Sequence, residues 1–176
     1  FLYHDETYKN IVFCEGFGLH QNIFFNYLPL DGTKGELLLI KSEKLNLNHI
    51  INSSIFVLPL GNHLYKIGAT YNWKEKNNIP TEQSKNELIN QLKELINCEF
   101  EIIEHHAGIR PTVNDRKPLL GEHPIIKNMY ILNGLGTRGV MLSPYLSKIL
   151  FNFIENKIVL PKEIDIKRYQ KLQNYT

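Results

Sequence analysis

An α+β fold is predicted for this chain of 176 residues by three observations. Two short apolar runs, Ile11-Val12-Phe13-Cys14 and Met129-Tyr130-Ile131-Leu132, lie far apart in the chain and each leads into glycine, as buried strands do. Between them sits a hairpin-rich middle whose residues alternate in polarity. Two stretches carry apolar residues at helical spacing, one after the hairpins and one after the second run. The predicted order is strand, antiparallel middle, helix, strand, loop, strand, helix, with ends that read as parallel.

The first run, residues 11–14, reads as a strand covered on both faces and ended by Gly16 and Gly18. Leu28-Pro29-Leu30-Asp31-Gly32 supplies turn chemistry before a strand at residues 37–40. Residues 55–60 and 64–71 flank Gly61-Asn62, and glycine first in a two-residue loop predicts a type II′ hairpin. In its second arm Tyr65, Ile67, Ala69 and Tyr71 share one face and Leu64, Lys66, Gly68 and Thr70 the other, and one of the two is expected to be buried. Thr81 after Pro80 is the expected N-cap of a helix reaching Asn97, with Leu88, Ile89, Leu92, Leu95 and Ile96 as its apolar stripe. Residues 100–103 read as a strand leading through His105-His106 into Ala107-Gly108-Ile109-Arg110-Pro111. A polar loop with Pro111, Pro118 and Pro124 precedes the strand at residues 129–132. Ser143-Pro144 reads as N-cap and first residue of the last helix, with Tyr145, Leu146, Ile149, Leu150, Phe153 and Ile154 facing the core. Asn156 is expected to end that helix in a left-handed conformation, before a final short strand at residues 157–160.

Composition narrows the function classes. At 43% hydrophobic and 22% charged the chain is rich enough for a packed core, and its apolar runs stop far short of the roughly 20 residues of a membrane-spanning helix. Twenty basic and eighteen acidic residues are scattered evenly, which argues against a nucleic-acid partner. Cys14 and Cys98 fit neither a disulfide framework nor a metal-binding pair, and free thiols point to the cytoplasm. Asn52-Ser53-Ser54 and Asn174-Tyr175-Thr176 match a glycosylation pattern, but with no leader expected they read as chance matches. A first residue Phe1 with a strand almost at once makes the chain read as a piece of a longer polypeptide.

Few constellations carry chemistry. Gly134-Leu135-Gly136-Thr137-Arg138-Gly139 is G-x-G-x-x-G between a strand and a helix. It has too little chain after it for a self-contained dinucleotide fold, and it reads either as a tight turn or as a loop whose backbone approaches a ligand. Arg110 and Arg138 are two of only four arginines, each near glycine at a strand end. A guanidinium offers a planar fork for a carboxylate, and an ordinary ion pair is the other reading. His105 and His106, adjacent on a strand, face opposite sides, so no metal site is assigned. Tyr65, Tyr71 and Trp73 read as core or as pocket lining.

Three stretches together resemble the C-terminal half of the family of D-amino-acid oxidase and glycine oxidase. They are Ile11-Val12-Phe13-Cys14-Glu15-Gly16; Ala107-Gly108-Ile109-Arg110-Pro111 with Asp115-Arg116-Lys117-Pro118-Leu119-Leu120-Gly121; and Met129 onward through the glycine loop to Ser143-Pro144. The resemblance implies an antiparallel substrate domain, residues 19–111, inserted into a partial α/β FAD-binding domain, residues 1–18 and 112–176. The N-terminal Rossmann unit of that domain is expected to be missing from this chain, to belong to the same polypeptide, and to leave the piece alone inactive and poor at binding FAD. It also implies hydride transfer from an amine or amino acid to FAD. Carried over by motif, Arg110 would bind the substrate carboxylate, with Tyr71 and His106 lining the pocket. Gly16, Gly134, Gly136, Thr137, Arg138, Gly139, Val140 and Met141 would lie against the flavin. His106 stands where relatives often have tryptophan. The order Gly136-Thr137-Arg138-Gly139 resembles instead the flavin domain of the enzyme that trims carboxymethylaminomethyl-uridine in tRNA. A flavin-free binding or structural role is the remaining alternative.

Overall fold

The structure, a computed structural model, describes residues 1–175, with side chains through residue 170. In chain order the strands are β1 (Leu2–Tyr3), β2 (Glu6–Thr7), β3 (Ile11–Phe13), β4 (Thr33–Lys41), β5 (Ile51–Asn52), β6 (Phe56–Gly61), β7 (Leu64–Gly68), β8 (Glu101–Arg110), β9 (Leu119–Glu122) and β10 (Met129–Asn133). The helices are α1 (Glu82–Leu95) and α2 (Gly139–Asn156). The chain divides into two compact units, residues 1–32 with 110–176, and residues 33–109. No helix among the described residues is long and apolar enough to cross a membrane.

The first unit is built on a three-stranded sheet in the order β3-β10-β9. β10 runs parallel to β3, with Met129 opposite Ile11 and Ile131 opposite Phe13, and antiparallel to β9. Side chains alternate across β10: Met129 and Ile131 join Leu19, Phe25, Leu28 and Leu30 on one face, while the Tyr130 ring meets Phe153 of α2 on the other. Residues 19–32, which the sequence reading assigns to the inserted domain, therefore pack into the core of this unit. β3 is an edge strand and is not covered on both faces, because α2 reaches Tyr130 but leaves Val12 40% exposed.

α2 begins at Gly139, four residues before the expected cap, so Pro144 lies inside it. The proline removes the hydrogen bond that would reach the Val140 carbonyl, a loss confined to the second turn. Leu146 and Leu150 are the buried residues of the helix, whereas Tyr145, expected in the core, is 66% exposed. Lys157, not Asn156, takes the left-handed position, at φ 56°, and the chain after it forms no strand.

The second unit is a five-stranded sheet in the order β5-β6-β7-β4-β8, with α1 against one face. Leu38, Ile40, Val57, Tyr65, Ile67, Leu88 and Leu92 form its core. Thr81 caps α1 as expected, its hydroxyl accepting from the Ser84 N–H at 3.3 Å. The β6–β7 loop is Asn62-His63 rather than Gly61-Asn62; both loop residues have positive φ, 52° and 59°, which is type I′ geometry. Gly61 instead sits at a register shift that moves the turn one residue on. β7 ends at Gly68, so the predicted alternation fails beyond it and Tyr71 is 61% exposed.

Candidate functional site

Because β3 and β10 are parallel, the first unit brings two glycine turns together at their carboxyl ends, where open α/β sheets bind ligands. After β3 the chain turns at Gly16, φ 59°, into a 3₁₀ helix. After β10 it turns at Gly134, φ 71°, and Gly136, φ 56°, and passes through a 3₁₀ turn, Gly136–Arg138, directly into α2. The buried amide of Asn133 joins the two, donating from Nδ2 to the Gly16 carbonyl at 2.9 Å and accepting the Gly134 N–H on Oδ1 at 2.8 Å.

The three glycines of the motif are not equally constrained. A Cβ at Gly134 would come within 2.6 Å of Val113 Cγ2 and 3.3 Å of the Leu119 backbone nitrogen, so packing alone demands glycine there. At Gly136 the demand is conformational, since the nearest atom to an added Cβ is Thr112 Oγ1 at 3.8 Å. Gly139 has ordinary helical φ, −55°, and an added Cβ would make only normal contact with Leu135, at 3.6 Å. With α2 starting at Gly139, no positive φ is needed there.

What Gly139 leaves is a bare helix end. No side chain caps the N-terminus of α2 and no acidic residue stands in its first turn, while Val140 and Met141 are 95% and 68% exposed. The unpaired N–H groups and the positive end of the helix are suited to an electron-rich ligand edge. The residues present therefore fit the flavin that the sequence resemblance implies, as far as an uncapped helix end without acidic neighbours does.

Arg110, half-buried, ends β8, and Pro111 after it holds the arginine backbone extended. The Pro111 carbonyl accepts the Gly136 N–H at 2.9 Å. The Thr112 carbonyl accepts the N–H groups of Asp31 and Gly32 at 2.8 and 3.2 Å. Further on, Arg138 Nη2 donates to the Arg116 carbonyl at 3.4 Å. Asp115 accepts from Tyr169 Oη at 2.7 Å, from the Lys117 N–H at 2.9 Å and from Arg168 Nε at 3.1 Å. Burial pushes its carboxyl up, but these donors outweigh burial and hold it below the usual carboxylate range. The stretch from Arg110 to Lys117 is thus tied both to the glycine loop and to the C-terminal segment.

The first unit therefore gathers Gly16, Gly134, Gly136, Thr137, Arg138, Gly139, Val140, Met141 and Arg110. Tyr71 and His106 belong to the second unit. The His106 ring is 57% exposed and lies 2.6 Å from the Glu104 carboxylate, two residues away on the same strand face. His105, on the opposite face, lies 2.9 Å from Glu36 Oε2, an ion-pair distance although the angle is not that of a hydrogen bond. Asn133, the bracing role of Asp115 and the buried Lys34–Glu36 pair escape sequence reasoning. The alternation of β4 does place both Lys34 and Glu36 on the buried face, a signal that a charged pair at i, i+2 in an apolar strand carries.

Residues 3–152 match the model of the DAO family, FAD dependent oxidoreductases. The glycine oxidase of Bacillus subtilis is 23% identical over 149 residues, covering 81% of this chain and 40% of that protein. The tRNA 5-methylaminomethyl-2-thiouridine biosynthesis bifunctional protein MnmC of Idiomarina loihiensis is 23% identical over 131 residues, covering 71% of this chain and 21% of that protein. Among solved structures, glycine oxidase from Bacillus cereus superposes with a TM-score of 0.72 at 26% identity, covering 86% of this chain and 43% of its own. This chain spans less than half the length of each of these proteins. With a family match over most of its length and a mixed α/β fold shared with glycine oxidase, the chain belongs to the DAO family of FAD-dependent oxidoreductases.

Proposed function

We propose that the full-length product of this gene oxidises a carboxylate-bearing amine or amino acid at its carbon–nitrogen bond. The first unit takes the cofactor-binding role and the second the substrate-binding role, and an N-terminal Rossmann segment of the same polypeptide completes the FAD site. Bound FAD would supply the hydride acceptor for oxidation of the carbon beside the amine nitrogen, to an imine that water hydrolyses. The observation that carries this reading is the 2.9 Å hydrogen bond from the Gly136 N–H to the Pro111 carbonyl, which ties the residue after Arg110 to the candidate flavin loop.

Arg110 binds the substrate carboxylate through two parallel hydrogen bonds, and its extended backbone limits the directions the guanidinium can take. That fixes the amine end relative to the loop, which is where orientation lowers the barrier. The N–H groups of the first turn of α2 would help to hold the cofactor and would supply donors toward negative charge beside the helix end. The names of the relatives support the substrate class, since glycine carries both an amine and a carboxylate.

A second reading, oxidation of a modified uridine in tRNA, is favoured by the order Thr137-Arg138-Gly139 and by the likeness to MnmC. The test is the visible spectrum of the purified full-length product. The proposal expects a bound-flavin band that bleaches without oxygen on addition of a small amino acid or secondary amine. Bleaching only by tRNA carrying the modified uridine supports the second reading, and no flavin band at all contradicts both.

A further inference from the structure

Asn133 lies in the stretch from Met129 to Pro144 but has no role assigned to it above, yet it is the side chain on which the two glycine turns meet. It is 3% exposed, and its amide spends a donor on Gly16 and an acceptor on Gly134, residues more than a hundred positions apart in sequence. The parallel ladder between β3 and β10 registers only three residue pairs and ends at Ile131 opposite Phe13. The registered pairing of the two strands thus stops short of both turns.

The Gly16 turn is braced from its other side as well. Asn22, also buried, donates from Nδ2 to Glu15 Oε2 at 2.6 Å and accepts the N–H groups of Phe24 and Phe25 on Oδ1 at 2.9 and 3.1 Å. Two buried amides thus hold Glu15 and Gly16 between them. We propose that Asn133 is a positioning residue for the cofactor, setting the gap between the Gly16 turn and the Gly134–Gly136 turn. The proposal rests on the FAD reading above and adds to it a residue that touches no ligand.

The chemistry makes the role separable from packing. Aspartate at this position keeps an acceptor for the Gly134 N–H but sets an oxygen against the Gly16 carbonyl, so Asn133→Asp opens one link only. Serine satisfies the nearer group and is too short for the farther one, and being neutral it guards against a failure of the aspartate variant to fold.

The experiment titrates FAD into apoprotein prepared from the full-length product, following flavin fluorescence and the band positions of bound flavin, with melting temperatures recorded alongside. Leu160→Ala is the control: the side chain is 3% exposed in a core cluster of the same unit and takes no part in the hydrogen bonds that Asn133 makes to the two turns. N133D and N133S are expected to weaken FAD binding about tenfold or more, the equivalent of one lost hydrogen bond. L160A should lower the melting temperature while its folded protein binds FAD as the wild type does. FAD binding by both Asn133 variants as tight as wild type, or an equal loosening in L160A, overturns the positioning role. A wild-type product that takes up no FAD overturns the underlying reading, and this proposal with it.

Discussion

Glu36 accepts the backbone N–H of Thr81 on Oε2 at 2.8 Å and the Thr81 hydroxyl on Oε1 at 3.0 Å, so a buried carboxylate on β4 holds the residue that caps α1. Lys34, two residues earlier on the same face and 1% exposed, lies 3.4 Å from Glu36. Its ammonium also reaches Glu75 Oε2 at 2.6 Å, the Ile79 carbonyl at 2.6 Å and Asn77 Oδ1 at 3.1 Å. One buried cation therefore fastens the segment between β7 and α1, on which Tyr71 and Trp73 are exposed.

Lys34→Met should be among the most damaging single changes in the second unit. It strands a buried carboxylate and frees the strapped segment, and breaking a buried pair costs about 3 to 5 kcal/mol. Urea unfolding followed by circular dichroism checks the size. Trypsin cleavage after Lys74 or Lys76 should accelerate in the folded variant, and an unchanged cleavage pattern would show that the segment is held by something else.

Stability should decline in two acid steps. His123 is held below the ordinary imidazole value, by burial first, against an opposing hydrogen bond with the Phe24 backbone. Its Nδ1 accepts the Ile126 N–H at 2.9 Å and the Ile125 N–H at 3.2 Å, which requires the neutral ring. A lowered pKa means that the unfolded chain binds the proton more readily. The contribution is whole above about pH 6.5 and is lost as pH falls below it. Glu36 and Asp115, both held low by their donors despite burial, add a second loss below about pH 4.5. His123→Gln should flatten the first step in a series of melting temperatures and leave the second.

The two outer glycines of the motif should part company. Gly134→Ala meets Val113 at 2.6 Å and a positive φ, so it should lower the melting temperature sharply. Gly139→Ala meets nothing closer than 3.6 Å at a helical φ and should leave the melting temperature unchanged or slightly higher. In the full-length product it should nonetheless weaken flavin retention, because its methyl group occupies the space beside the bare helix end. Flavin content per folded chain decides this, and full retention would make Gly139 an ordinary helix residue.

Periodicity made the cores legible. The stripe of α1 names Leu88 and Leu92 and the alternation of β7 groups Tyr65 with Ile67, because each buried residue contributes independently to a pattern. The cap of α1 was equally readable, since Thr81 satisfies a neighbour three residues away. The start of α2 was not: Ser143-Pro144 has better local capping chemistry than Arg138, but glycines at 134 and 136 deliver the chain already turned, and the helix begins at once. The candidate site was legible where a residue type stands out, in Arg110 and the glycines, which the structure brings into one compact unit. It was hidden where a common residue acquires its role from distant chain, as Asn133 does from Gly16.

The most direct measurement is the rate of anaerobic flavin reduction in the full-length product, wild type and Arg110→Met, with a carboxylate-bearing amine and with the same amine lacking the carboxylate. Losing one partner of a desolvated charge pair costs about 2 to 5 kcal/mol, so the variant should lose roughly 30-fold to several thousand-fold with the carboxylate substrate at low concentration. The amine without a carboxylate should be affected far less, and Arg110→Lys should recover only part of the loss, because an ammonium cannot replace the fork. Equal losses on both amines, with flavin content and melting temperature unchanged, would contradict the carboxylate clamp.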